Sequence, residues 1–211
     1  VLEAVWLLVR IPLAARSADF AAALRGCGMD VGDDPGVLDV AVGYSLAVDA
    51  KMPNGAGRTD LGEMAQNAGV ETINATLDPR TSSLWGSGPE DVRRAFAALA
   101  TAAQFGTLAR RFFGRFVFKC LSYMLSKTLP DHIGEGKRFR TVADQTRFVK
   151  AVEVHCAEAA VRVEEYAGDW FSLHRFQTAG DIGRAETRRF LGYAMEKLTT
   201  ELRDREGGRG S

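Results

Sequence analysis

Residues 104–128 read QFGTLARRFFGRFVFKCLSYMLSKT, and this stretch decides the fold. Phe105, Leu108, Phe112, Phe113, Phe116, Val117, Phe118, Leu121, Met124 and Leu125 occupy nearly every side of a helix drawn through it. A helix that is apolar almost all round belongs at the centre of a bundle, where each face meets another helix. Pro130 and Gly134 end it, the first by lacking a donor and the second by admitting a left-handed turn.

Working outward, Ser87-Gly88-Pro89-Glu90 fits a capping box that opens a helix from Pro89 to about Ala103. Val92, Phe96, Leu99 and Ala103 give that helix one face to bury. On the other side, Thr141 and Asp144 cap a helix expected to run to Ala167, with Gly168 in the C′ position. Phe148, Val152, Cys156, Ala159, Val163 and Tyr166 line its apolar side. A last helix, about Gly183 to Arg205, buries Leu191, Ala194, Met195, Leu198 and Leu202. The fold class is therefore mainly α: residues 86–206 form an antiparallel-type helical bundle, with a disordered tail at 207–211.

Residues 1–85 read as a smaller, irregular, mostly helical part packed on that bundle, with the seam near Asp78 to Pro89. Short helices are expected at Ser17 to Arg25, Val37 to Lys51 and Asp60 to Ala68, with turns at 26–36 and a loop at Pro53 to Arg58. Ala4 to Ile11 reads equally as a strand or as the start of a buried helix, because periodicity does not separate the two.

With 211 residues, 46% hydrophobic and 26% charged, the chain is in the ordinary globular range and needs no disulfide or metal staple. Cys27, Cys120 and Cys156 are odd in number and widely spaced, so they read as reduced, mostly buried thiols. Val1 to Leu13 is interrupted by Glu3, Arg10 and Pro12, too short to span a bilayer and without the pattern of a secretory signal. The chain opens on Val1, which leaves room for residues upstream. These features give a soluble, cytoplasmic protein, and 21 Arg against 6 Lys suits a GC-rich bacterial genome.

Net charge is zero but unevenly spread, with 8 basic and 13 acidic residues at 1–100, 10 and 3 at 101–150, and 9 and 11 thereafter. The basic middle contains a ridge, Arg111, Arg115 and Lys119, spaced four apart on the central helix, with Lys137, Arg138 and Arg140 on the loop beyond. Such a ridge suits phosphate groups or an acidic partner surface. The plainer readings are a solvent-facing edge of a buried helix, or pairing with the acidic first part.

Trp170, Phe171 and Phe176 crowd what reads as a connector between the last two helices. They would plug the end of the bundle or, less simply, form a recognition patch.

Catalytic and metal motifs fail on spacing. Gly134-Glu135-Gly136-Lys137 follows a helix and is followed by Arg138, unlike a phosphate-cradling loop, and Gly86-Ser87-Gly88 is already explained by capping. His155 and Cys156 are helix neighbours pointing about 100° apart, while His132 and His174 stand alone. Glu153, Glu158, Glu164 and Glu165 read as a solvated face without the Glu-x-x-His signature of a di-iron bundle. The sequon at Asn74 has no export signal to give it meaning. No metal, cofactor or catalytic residue is assigned. The leading expectation is a non-enzymatic helical interaction module, an adaptor or subunit with a protein partner. Nucleic-acid or other polyanion binding through residues 110–150 comes second, and an enzyme with a dispersed site third.

Overall fold

A computed structural model of the chain describes residues 1–52, 60–81 and 88–207, and among them the fold is mainly α, without strands. In chain order the helices are α1 (Leu2–Ala14), α2 (Phe20–Gly26), α3 (Val37–Asp49), α4 (Asp60–Thr81), α5 (Pro89–Ala98), α6 (Ala102–Ser126), α7 (Val142–Ala159), α8 (Val161–Gln177) and α9 (Arg184–Gly207). A short 3-10 turn, Leu129–His132, follows α6. None of the described helices is long and apolar enough to cross a membrane.

The ambiguous opening segment is a helix. Ala4 to Val9, Ile11, Pro12 and Ala14 are all buried, so α1 has neighbours on every side: α2, α3, α4, α5 and α9. A helix satisfies its own backbone donors, which a single strand at that position would leave unpaired. Trp6 anchors it to the far end of the chain: its Nε1 donates to Ile182 O at 3.2 Å, and the Arg184 guanidinium lies 3.6 Å from its ring centroid. Arg184 also grips Glu3 with two bonds of 2.7 and 2.8 Å.

Helix α2 starts later than the sequence suggests, because Asp19 and not Ser17 is the cap: its carboxylate accepts from Ala22 N at 2.8 Å. Helix α4 runs well past Ala68, to Thr81, so the first residues of the expected seam, 78–81, are helical. Gly69 does not stop it, because the glycine is there for packing. Tyr44 from α3 lies so close over Gly69 that a Cβ would overlap its phenol, whose hydroxyl donates to Ala4 O at 3.1 Å. The extension buries Thr72 and Ile73, and it carries Glu71 into reach of α6.

Helix α5 ends at Ala98, short of Ala103, and Thr101 caps α6 by accepting from Gln104 N. Ser87 lies outside the described residues; Gly88 precedes the helix, and the Glu90 carboxylate pairs with Arg93 at 2.7 and 2.8 Å.

Helix α6 is central, packing on α4, α7 and most extensively α8. Phe105 stacks on Phe171 at 4.2 Å between centroids, and Phe113 meets Phe190 edge-on at 5.9 Å. The contact with α8 comes down to backbone. A Cβ on Gly106 would lie 2.5 Å from Glu164 O, and one on Gly168 would lie 2.6 Å from Ala102 O. Gly168 is thus an interior packing residue of α8 and not a C′ stop.

The helix expected from Thr141 to Ala167 is two helices, broken at Ala160, where Ala159 and Ala160 are fully buried. The Thr141–Asp144 capping box is present at its start, with Asp144 N donating to Thr141 Oγ1 at 3.2 Å and Thr141 N to Asp144 Oδ2 at 3.0 Å. The aromatic connector is not a loop: Trp170, Phe171 and Phe176 all belong to α8, which ends where Ala179 and Gly180 take positive φ values of 50° and 88°. The C′ signature of Gly168 points to a connector there, but the glycine is interior to α8 and the helix carries on through the aromatic residues. Of the expected tail, 208–211 lie outside the described residues, and the α9 helix includes Gly207.

Candidate anion-binding cleft

The basic ridge of α6 faces α4 and α7, which form the other two walls of a cleft of about 560 Å³. Glu71 stands on the α4 wall, Glu153 and Ala157 on the α7 wall, and Gly114 and Phe118 form the floor between the basic side chains. The volume lies in the range of small-ligand sites.

Along α6 the cations are spaced by the helix itself, about 6 Å per four residues. The Lys119 Nζ lies 2.6 Å from Glu71 Oε1, and Arg115 Nε lies 3.8 Å from Glu71 Oε2, so one carboxylate is shared by two cations. Arg115 also donates to Arg111 O at 3.4 Å, and Arg111 reaches Ala75 O on α4 at 3.1 Å. At the upper end, Glu164 of α8 takes one bond from Thr107 Oγ1 at 2.8 Å and another from Arg110 at 3.0 Å. Glu153 is held by Lys150 at 2.7 Å.

The cations are well covered: the Arg115 and Lys119 side chains are 32% and 25% exposed, against 51% for Glu71. Burial holds the Arg115 guanidinium below its ordinary pKa; Glu71 and Glu153 oppose the shift and the neighbouring Arg111 adds to it. Partial burial of like charges costs free energy, and the shared Glu71 carboxylate offsets part of it.

The remaining candidates are dispersed. Lys137, Arg138 and Arg140 are exposed on the segment between the 3-10 turn and α7, and none of them lines the cleft. Arg138 covers the rings of Phe148 and Phe139, with centroids 5.3 and 5.8 Å away. Gly134 and Gly136 take positive φ in a tight turn closed by Gly134 N to Phe139 O at 2.9 Å and Phe139 N to His132 O at 3.0 Å.

Trp170 and Phe171 are buried against Phe105 and Phe190, whereas Phe176 is 87% exposed. The three aromatics therefore form neither one plug nor one patch.

Cys156 is fully buried, and burial, then Cys120 and Glu153, push its thiol up to about 11. It stays protonated at neutral pH and is a poor nucleophile. His174 Nδ1 lies 2.9 Å from Trp170 O on its own helix, a structural bond. Among the described residues no cluster of His, Cys, Asp or Glu is arranged to hold a metal ion.

The sequence offered pairing of the ridge with the acidic first part, and Glu71 from that part does meet Arg115 and Lys119, but it did not single out Glu71, Glu153 or Glu164 as the carboxylates beside the cations. Glu71 lay beyond the expected end of its helix. Glu153 and Glu164 read as a solvated face, yet the break at Ala160 puts them on separate helices that both border α6. No protein-family model, curated protein or solved structure matches this chain.

Proposed function

We propose that the protein is a non-catalytic helical binding module, a cytoplasmic adaptor or subunit, whose working surface is the cleft between α4, α6 and α7. The cleft takes up an anionic group presented by a partner. The supporting observation is Arg115, a guanidinium mostly covered by protein beside Arg111, which shares its nearest carboxylate, Glu71, with Lys119. Charge-assisted bonds at such a place are about twice as strong as neutral ones, so a modest anion has a defined seat.

A nucleic acid laid across residues 110–150 fits less well. The loop cations stand outside the cleft, and Glu71 and Glu153 on opposite walls repel a chain of successive phosphates.

The test is a titration of the full chain with inorganic phosphate at constant ionic strength. Saturable binding that weakens with added salt is expected, and Arg115→Gln is expected to lower affinity about tenfold, the equivalent of one charge-assisted bond, with the helical circular dichroism retained. Absence of saturable binding by the parent chain removes this reading.

A further inference from the structure

We infer that Glu71 is a built-in occupant of the anion seat, and that the ligand is a phosphate monoester whose dianionic head displaces it. The inference rests on the cleft being a binding site, and it names the ligand class and the internal competitor.

The geometry defines the seat. The two oxygens of Glu71 reach Lys119 and Arg115 from α4, so a single small anionic group already bridges both cations. Glu71 is the most exposed partner of that trio, so moving its side chain off the two cations uncovers little. Its neighbours on that helix, Thr72 and Ile73, are buried and hold the backbone in place.

Charge decides the class. Of the groups around the cleft, Arg110 already has Glu164 and Glu153 already has Lys150, whereas Arg115 and Lys119, two positive charges, share the single negative charge of Glu71. A monoanion replacing Glu71 would restore only the charge that leaves. A phosphate monoester carries close to two charges at neutral pH and three strong acceptor oxygens, so it can balance Arg115 and Lys119 together.

Beyond the seat, Phe118, Gly114 and Ala157 offer an apolar floor to the organic part of the ester. Glu153 on the opposite wall disfavours a second anionic group, which excludes extended polyphosphates. The shared chemistry, a phosphate monoester, belongs both to free small molecules and to phosphorylated side chains.

The experiment compares phenyl phosphate with benzoate, which has the same ring and one charge, by calorimetric titration of the parent chain, Glu71→Gln and Glu71→Asp. A phosphoserine peptide and its unphosphorylated form make a further arm. Phenyl phosphate is expected to bind more tightly than benzoate. Removing the internal competitor in Glu71→Gln should tighten it about tenfold, with a smaller gain in Glu71→Asp, which keeps the charge but draws it back. The Asp variant also carries the test if the Gln variant does not fold.

Tighter binding of the phosphopeptide than of phenyl phosphate assigns the head group to a protein partner; the reverse order assigns it to a small molecule. Phenyl phosphate binding that is equal or weaker in both Glu71 variants overturns the competitor role while leaving the cleft a binding site. Equal affinity for benzoate and phenyl phosphate overturns the ligand class. No binding of any probe to any variant removes the site itself.

Discussion

Helices α1 and α6 are both surrounded by other helices, but they are buried in different ways. In α1 burial runs nearly the whole length, and its one basic residue, Arg10, leaves the core at once to meet Asp181 at 2.8 Å. In α6 burial lasts from Phe105 to Val117 and then fades, with Met124 59% exposed. Four cations are interleaved with its aromatics and gathered against α4 and α7. A helix packed on all sides by apolar groups can only support a fold. One that keeps a charged edge while its other faces are buried supports the fold and also presents a pre-positioned row of donors, because packing fixes the rotamers from which the charges extend.

The sharpest way to break that comparison is to place a charge in the buried half of α6. Phe116 is 3% exposed and stacked 5.9 Å from Phe112. Phe116→Asp should cost on the order of 3 kcal/mol or more, through lost aromatic burial and an unpaired buried carboxylate; an unchanged denaturant midpoint would contradict the central placement of α6.

Next in size is the backbone contact of α6 with α8. Gly168→Val adds atoms where a Cβ alone would sit 2.6 Å from Ala102 O, and a loss of about 1–3 kcal/mol is expected from the overpacking. Gly192 on α9 has nothing within 4 Å of its would-be Cβ. Gly192→Ala should therefore be neutral or stabilising by up to about 1 kcal/mol, as for any exposed helical glycine. Equal destabilisation by both substitutions would show that the close α6–α8 approach has no special weight.

The smallest effect belongs to the emerging half of α6. Met124→Gln should change stability by no more than about 0.5 kcal/mol, as expected of an exposed position. A thermal melt showing a loss comparable to Phe116→Asp would mean that the end of α6 is covered in solution.

Legibility followed the range of the interaction concerned. The Thr141–Asp144 box was readable because capping involves residues three apart. The burial of Phe105 to Val117 was readable from the density of apolar residues. The errors arose where a residue had two uses. Gly69 and Gly168 carry the local signature of a helix end, but serve close packing against Tyr44 and Ala102. Reading Gly168 as an end turned the C-terminal half of α8 into a connector, while nothing local to the residues after Ala68 signals that α4 runs on past Glu71. Phe176, in contrast to Trp170 and Phe171, is exposed because it lies on the side of α8 turned away from α6, a distinction that composition alone does not contain.

By itself the sequence determined that the chain is helical, that the segment around Phe112 must be covered on most sides, and that Arg111, Arg115 and Lys119 share one edge of it. These follow from propensity, apolar periodicity and the 3.6-residue turn, all properties of contiguous residues. Only the tertiary structure decided what that edge faces. Glu71 meets Lys119 across 48 positions of chain, and Glu164 meets Arg110 across 54. Which carboxylates reach the ridge depends on where α4 ends and where the chain turns at Ala160, and both are set by close packing between helices that no local pattern records.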